Sequence, residues 1–139
     1  CRRNVRMGQT GCLSTRTLNR KMSRARHERA GRRAETLACL FLRLKGYYIL
    51  RRRYKSGSGE IDIIARRRGM LAIVEVKQRT TLEAAEESLT PYAMRRISNA
   101  ADDFIARTSS VQNLSVRFDA IFVIGMWRIH HLEDAWRDS

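Results

Sequence analysis

The sequence predicts an α/β fold in which a mixed β-sheet is flanked by helices. Three observations support this prediction: an apolar repeat of three and four residues near the start, a change to short strand-like runs after Gly46, and a second helical stretch that opens at Pro91. The resulting order, α-β-β-β-α-β-β, is typical of helices packed against a sheet.

The first predicted helix covers about residues 28–45. Ala34, Leu37 and Phe41 recur at helical spacing and line one face, and Gly46 ends the helix. The preceding residues are rich in Arg, Ser and Thr and carry no sustained apolar repeat.

These features predict two regions. We expect residues 1–26 to form a disordered basic N-terminal arm, and residues 27–139 to form a single domain. The chain opens on Cys1, and Met22 is an alternative start.

Five strands are expected from short apolar runs bounded by turn residues. They are Tyr47–Arg53, Glu60–Arg66, Met70–Arg79, Val116–Ile124 and Trp127–His131. Arg68-Gly69 is the predicted turn between the second and third strands, and the second helix is expected to run from Pro91 to about Arg107.

The net charge of +14 favours a polyanionic partner, and nucleic acid is the first candidate. The basic excess lies in residues 1–79, whereas acidic residues outnumber basic ones in residues 80–139. The three cysteines form no paired motif, and no apolar run is long enough for a membrane helix. We therefore expect a cytoplasmic protein without a disulfide framework, a zinc site or a membrane anchor.

Two predicted strands carry charged residues within apolar runs. In strict alternation, Glu60, Asp62 and Ile64 face one side of their strand, and Ile61 and Ile63 face the other. Glu75 and Lys77 share a face of the next strand. A two-residue turn at Arg68-Gly69 places Asp62 directly across from Glu75, with about 5 Å between their Cβ atoms.

Two carboxylates this close repel each other unless a cation lies between them. Mg²⁺ takes oxygen ligands and is often held by only one or two carboxylates. The sequence therefore predicts a Mg²⁺ or Mn²⁺ site at Asp62 and Glu75, with Lys77 placed to stabilise charge on a phosphate. The simpler structural interpretation is a salt-bridged face of an edge hairpin.

The same residues resemble the signature of the PD-(D/E)XK nuclease superfamily, in which a strand Asp is followed on the next strand by Glu-x-Lys. More closely, the chain resembles the YraN-like family of bacterial proteins, itself similar to archaeal Holliday-junction resolvases. The resemblance rests on five blocks between residues 26 and 136: Gly31–Glu35, Gly46–Leu50, Gly59–Ala65, Val74–Arg79 and Arg117–Asp119.

This resemblance implies a restriction-endonuclease-like core and a metal-dependent endonuclease that hydrolyses phosphodiester bonds in structured or branched DNA. It adds Glu35 to Asp62, Glu75 and Lys77 as a catalytic and metal-binding residue, and it implies a homodimer. Six basic residues are expected to contact nucleic acid: Arg32, Arg33, Arg52, Arg53, Lys55 and Arg79. The alternative is a non-catalytic nucleic-acid-binding adaptor with the same fold.

Overall fold

The computed structural model describes residues 12–137, and in this range a mixed sheet is flanked by helices, as predicted. The helices are α1 (Cys12–Leu44), α2 (Leu82–Glu87) and α3 (Pro91–Arg107), with a 3-10 turn at Ser109–Val111. The strands are β1 (Tyr48–Lys55), β2 (Glu60–Arg67), β3 (Met70–Arg79), β4 (Ser115–Ile124) and β5 (Arg128–Trp136). Helix α2 is an addition to the predicted order. Its N-cap is Thr81, whose side chain accepts a hydrogen bond from the Ala84 N–H.

Helix α1 begins well before its predicted start near Glu28, so that prediction was wrong. Residues 12–30 are mostly good helix formers and contain no proline. Such a segment can continue the helix of the residues that follow it without an apolar repeat of its own. Residues 1–11 of the expected arm lie outside the described part. Within that part, none of the helices combines the length and apolar character needed to cross a membrane.

The chain divides into two units, Cys1–Ala30 and Gly31–Ser139. In the first, the side chains of residues 15–29 are exposed, and His27 Nδ1 lies 2.7 Å from the Ser23 carbonyl oxygen. The second unit contains the sheet and the three candidate carboxylates, Glu35, Asp62 and Glu75.

The strands lie in sequence order across the sheet, β1-β2-β3-β4-β5. Neighbouring strands are antiparallel except β3 and β4, which are parallel and are joined by the crossover through α2 and α3. The predicted turn at Arg68-Gly69 is present, since Arg67 pairs with Met70, and Arg68 adopts a left-handed φ of 56°.

Each face of the sheet has its own apolar layer. The second-unit part of α1 packs Ala34, Ala38 and Leu42 against one face, where Cys39 is buried as a free thiol. The side chains of Cys1 and Cys12 lie outside the described part. Helix α3 covers the other face with Ile97 and Phe104, among others. Strand β3 is buried from Leu71 to Glu75, which is typical of a central strand covered on both sides.

A buried ion pair supports the end of the sheet at which β4 begins. Asp119 is fully buried and accepts hydrogen bonds from Arg117 Nε and Nη2, both at 2.7 Å. His131 Nε2 lies 2.9 Å from Asp119 Oδ2, and the Asp134 N–H donates at 3.1 Å. Although burial raises the pKa of Asp119, these hydrogen bonds outweigh it and hold that pKa below its usual value.

Gly59 allows β2 and α3 to approach closely. A Cβ atom at this position would lie 2.5 Å from the carbonyl oxygen of Arg96, a backbone atom of α3 that cannot turn aside. We therefore expect Gly59→Ala to lower the free energy of unfolding by about 1–3 kcal/mol, the usual cost of overpacking. Urea unfolding measures this loss. Gly57→Ala is the matched control because nothing lies within 4 Å of its Cβ position. Equal stability of the two variants would contradict the prediction.

Candidate functional site

Strands β2 and β3 separate at Asp62. Their predicted register is present up to the pair Ile63 and Val74, and there the regular pairing ends. Asp62 then reaches across with its side chain, whose Oδ2 accepts a hydrogen bond from the Val76 N–H at 2.8 Å. A carboxylate thus occupies the position of a backbone acceptor, and it lies beside Glu75, with which it shares a hydrogen bond.

The prediction that side chains alternate strictly along β2 is wrong. Ile61 and Ile64 both pack in the layer under α3, whereas Ile63 packs in the layer under α1. The pleat is irregular at Asp62 because its side chain bonds the next strand. On β1, Arg53 adopts a left-handed φ of 50°, and no regular pair is formed between it and Asp62.

The environment of Asp62 favours its protonated form. Burial raises the pKa of Asp62 to about 8, and the charge of Glu75, their shared hydrogen bond and the charge of Glu35 add to the effect, against the opposing Val76 hydrogen bond. Asp62 therefore holds its proton to a higher pH than an ordinary aspartate does.

Glu75 and Lys77 follow on the same face of β3. The Lys77 Nζ atom lies 2.8 Å from Glu75 Oε1, and both side chains are largely buried. The positive charge of Lys77 is thus fixed beside the carboxylates instead of moving freely in solvent. The structure brings Asp62, Glu75 and Lys77 together, as the hairpin prediction requires.

Glu35 lies near this cluster but is bonded to another residue. Its Oε2 atom accepts a hydrogen bond from Arg53 Nε at 2.6 Å, and its side chain is mostly buried. Among residues 12–137, no three His, Cys, Asp or Glu side chains are grouped closely enough to hold a metal ion. The carboxylates of Asp62 and Glu75 thus lie side by side, whereas that of Glu35 is paired with Arg53.

Two carboxylates still fit a divalent cation. Asp62 and Glu75 offer hard oxygen ligands, and Mg²⁺ commonly retains waters and uses only one or two carboxylates of the protein. Burial is the main cause of the raised pKa of Asp62, and the negative charge of Glu75 adds to it. The donor set suits Mg²⁺ or Mn²⁺ better than zinc because the cluster contains no His or Cys.

A cavity of about 230 Å³ opens from Glu75 towards α3. Besides Glu75 it is lined by Glu60, Tyr92, Ala93, Arg96 and Ile97. Sequence reasoning had singled out neither Tyr92 nor Arg96 as a site residue. The one sequence signal that could have located them is Gly59, because its lack of a side chain lets α3 approach β2 at Arg96. A larger cavity, about 540 Å³, lies at the other end of α3 around Asp102 and Phe118 and contains none of the cluster residues.

The six predicted nucleic-acid contacts have different surroundings. Arg32, Arg52 and Arg53 line a shallow cavity of about 340 Å³ together with Thr36, whose hydroxyl accepts from Arg52 at 3.2 Å. The Lys55 Nζ atom lies 3.9 Å from Glu60 Oε1. Arg79 Nη1 donates a hydrogen bond to the Gln78 carbonyl oxygen at 2.7 Å. Arg33 contacts the turn between β4 and β5.

The chain is similar to proteins that share one family description. The model of "Uncharacterised protein family UPF0102" matches residues 34–123, which include Glu35, Asp62, Glu75 and Lys77. A UPF0102 protein of Paramagnetospirillum magneticum is 50% identical over 115 residues, which cover 79% of this chain and 88% of that protein. One of Parvibaculum lavamentivorans is 47% identical over 109 residues (78% and 82%), and one of a Chelativorans species is 48% identical over 111 residues (79% and 90%).

Proposed function

The chain belongs to the uncharacterised protein family UPF0102, and from the geometry of its site we propose that it is a metal-dependent endonuclease of the PD-(D/E)XK type. Its substrate is structured or branched DNA. The observation that supports this proposal most strongly is the gathering of Asp62, Glu75 and Lys77 where β2 and β3 separate. A protein that only binds DNA has no use for buried carboxylates beside a phosphate.

In this proposal each residue of the cluster has a role. Asp62 and Glu75 would hold the divalent cation through their carboxylate oxygens, and Glu35, paired with Arg53, would add negative charge nearby. The cation supplies Lewis-acid stabilisation of the phosphodiester charge. Lys77, fixed by Glu75 at 2.8 Å, places its ammonium group where negative charge develops on the phosphate during hydrolysis.

The experiment that tests this function is incubation of the purified full chain with flapped, branched and linear DNA in Mg²⁺, in Mn²⁺ and in EDTA. We expect cleavage with either metal and none in EDTA. Asp62→Asn is expected to abolish cleavage, and Glu83→Gln is its control because it removes the charge of an exposed carboxylate on α2. Cleavage that persists in EDTA would contradict the proposed metal dependence.

The second candidate is a non-catalytic nucleic-acid-binding adaptor. The observation that favours it is the ion pair between Arg53 and Glu35, which withholds a third carboxylate from the cluster. Tight DNA binding without product on any of these substrates would decide for the adaptor. The cytoplasmic location and the homodimer belong to either proposal and remain predictions.

Both candidates predict that DNA affinity falls steeply with salt, because each phosphate neutralised by Arg or Lys releases counterions. We expect Arg32→Glu and Arg52→Glu each to reduce the slope of log affinity against log salt by about 1, measured by fluorescence anisotropy between about 50 and 200 mM salt. Arg107→Glu is the matched control, since it makes the same charge change at the far end of α3. A slope that responds equally to all three variants would contradict this placement of the DNA.

A further inference from the structure

The turn between β4 and β5 presents an aromatic side chain to solvent. Trp127 is 72% exposed and the neighbouring Met126 is 57% exposed, although both are large apolar residues. Neither belongs to the cluster of carboxylates, and neither is needed by the proposed hydrolysis. Their exposure therefore calls for another explanation, and a binding surface is the usual one for exposed apolar residues that adjoin one another.

This turn is held rigidly to the end of β3. Gln78 Nε2 donates to the Gly125 carbonyl at 3.2 Å, and the Gly125 N–H donates to the Arg79 carbonyl at 3.1 Å. From the other side, Arg33 Nη2 donates to the Met126 carbonyl at 3.3 Å. Gly125 takes a left-handed φ of 62°, which glycine adopts without strain. Trp127 thus has a fixed position relative to Lys77, which directly precedes Gln78.

The surroundings of Trp127 are cationic. The Arg33 guanidinium lies 5.1 Å from the centre of its ring, and Arg79 and Arg128 are exposed nearby at the ends of β3 and β5. Aromatic side chains among arginines are the usual composition of surfaces that bind single-stranded nucleic acid, where bases stack on the rings and cations follow the backbone. An apolar protein partner would gain nothing from these charges.

The position of the turn sets its distance from the cluster. Arg79, which bonds Gly125, lies four residues after Glu75, or about 13 Å along β3 at about 3.3 Å per residue. Stacked nucleotides rise about 3.4 Å each, so the end of β3 to which the Trp127 turn is bonded lies about four nucleotide rises from Glu75.

We infer that Trp127 stacks on an unpaired base of single-stranded DNA, a few nucleotides from the phosphodiester held at Asp62 and Glu75. Paired bases of a duplex do not offer their faces to a side chain, so the substrate is DNA with an unpaired stretch beside the cleaved bond, such as a flap. This inference rests on the proposed function for the position of the cleaved bond. The stacking itself can be measured without cleavage.

The experiment uses the fluorescence of Trp127 in EDTA. The sequence has two tryptophans, and Trp136 is buried, so the full chain with Trp136→Phe reports on Trp127 alone. We expect a single-stranded DNA of about ten nucleotides to quench this fluorescence to saturation, and a blunt duplex of the same sequence to leave it nearly unchanged.

Affinity measurements in the unaltered background make the test independent of the Trp136 substitution. With labelled single-stranded DNA, Trp127→Ala is expected to bind about tenfold more weakly, and Trp127→Phe to recover most of the loss because it keeps a ring. Tyr48→Ala is the matched control, since Tyr48 is also a 72% exposed ring but lies at the start of β1, and its affinity should stay within about twofold of the wild type.

Each outcome bears on the inference. Equal affinity of the wild type and Trp127→Ala would overturn it, as would quenching by duplex and single strand alike. Quenching by RNA of the same sequence but not by DNA would overturn the choice of DNA. A fluorescence change with protein concentration alone, together with a dimer in sedimentation, would assign the surface to a second copy of the chain.

Failure of this inference can be told apart from failure of the proposed function. A wild type that cuts flapped DNA in Mg²⁺, with no effect of Trp127→Ala on cleavage or binding, overturns the stacking role and leaves the nuclease. A protein that cuts nothing, but whose Trp127 is quenched by single-stranded DNA, overturns the nuclease and leaves the stacking surface.

Discussion

Lys77→Ala is expected to lose at least about a hundredfold of kcat for DNA cleavage while its affinity for branched DNA stays within about twofold. One lysine adds little to the attraction between DNA and a chain of net charge +14. Beside the phosphate, however, its ammonium group stabilises charge that develops only in the transition state. Single-turnover cleavage and anisotropy, in one Mg²⁺ buffer, measure the two quantities on the same preparation.

Lys45→Ala is the matched control for this result. It removes the same charge from a lysine that is also paired with a carboxylate, since Lys45 Nζ lies 3.1 Å from Glu133 Oε1, away from the cluster. We expect its cleavage rate to match that of the wild type. Equal rates for Lys77→Ala and the wild type would exclude a catalytic role for Lys77, and a parallel loss of binding and cleavage would reduce that role to substrate affinity.

The second large effect is a dependence of stability on pH that metal removes. Folding raises the pKa of Asp62 from 3.8 to about 8, so the folded state holds this proton more tightly than the unfolded chain does. In EDTA the associated stability is present below about pH 4 and is lost as the pH rises to about 8, because Asp62 must then ionise beside Glu75 and near Glu35. The charges of Lys77 and Arg53, paired with those two glutamates, oppose this loss only in part.

Mg²⁺ should therefore stabilise the protein at pH 8 and have little effect at pH 5. At a tenfold excess over its dissociation constant, binding contributes about 1.4 kcal/mol, which raises Tm by about 5 °C for a domain of this size. Asp62→Asn removes both the pH dependence between 4 and 8 and the gain from metal, whereas Glu83→Gln keeps both. Thermal unfolding followed by circular dichroism checks each point. An equal Mg²⁺ shift in the wild type and Asp62→Asn would place the cation elsewhere.

The predictable part of the structure is the part set by local pattern. Apolar spacing defined the C-terminal half of α1, Pro91 marked the start of α3, and one two-residue turn at Arg68-Gly69 fixed the register that brings Asp62 to Glu75. That register depends only on side-chain alternation and the turn length, both of which the sequence displays.

The missed features depend on contacts between distant segments. The break of alternation at Asp62 arises from its bond to Val76 on another strand, and the pairing of Glu35 with Arg53 depends on how α1 packs on β1. Tyr92 and Trp127 look like ordinary helix and turn residues until α3 and the β4–β5 turn are placed at the same end of the sheet as Glu75.

The sequential order of the strands also bears on how the chain folds. Asp62, Glu75 and Lys77 lie on one hairpin closed by a two-residue turn, so their encounter closes a short loop and carries a small entropic cost. The parallel pairing of β3 with β4 must wait for the long crossover, and such non-local contacts form slowly. The residues of the site thus lie in the hairpin that we expect to become ordered early. Helix α3 packs against this hairpin in a later step and covers one side of the site.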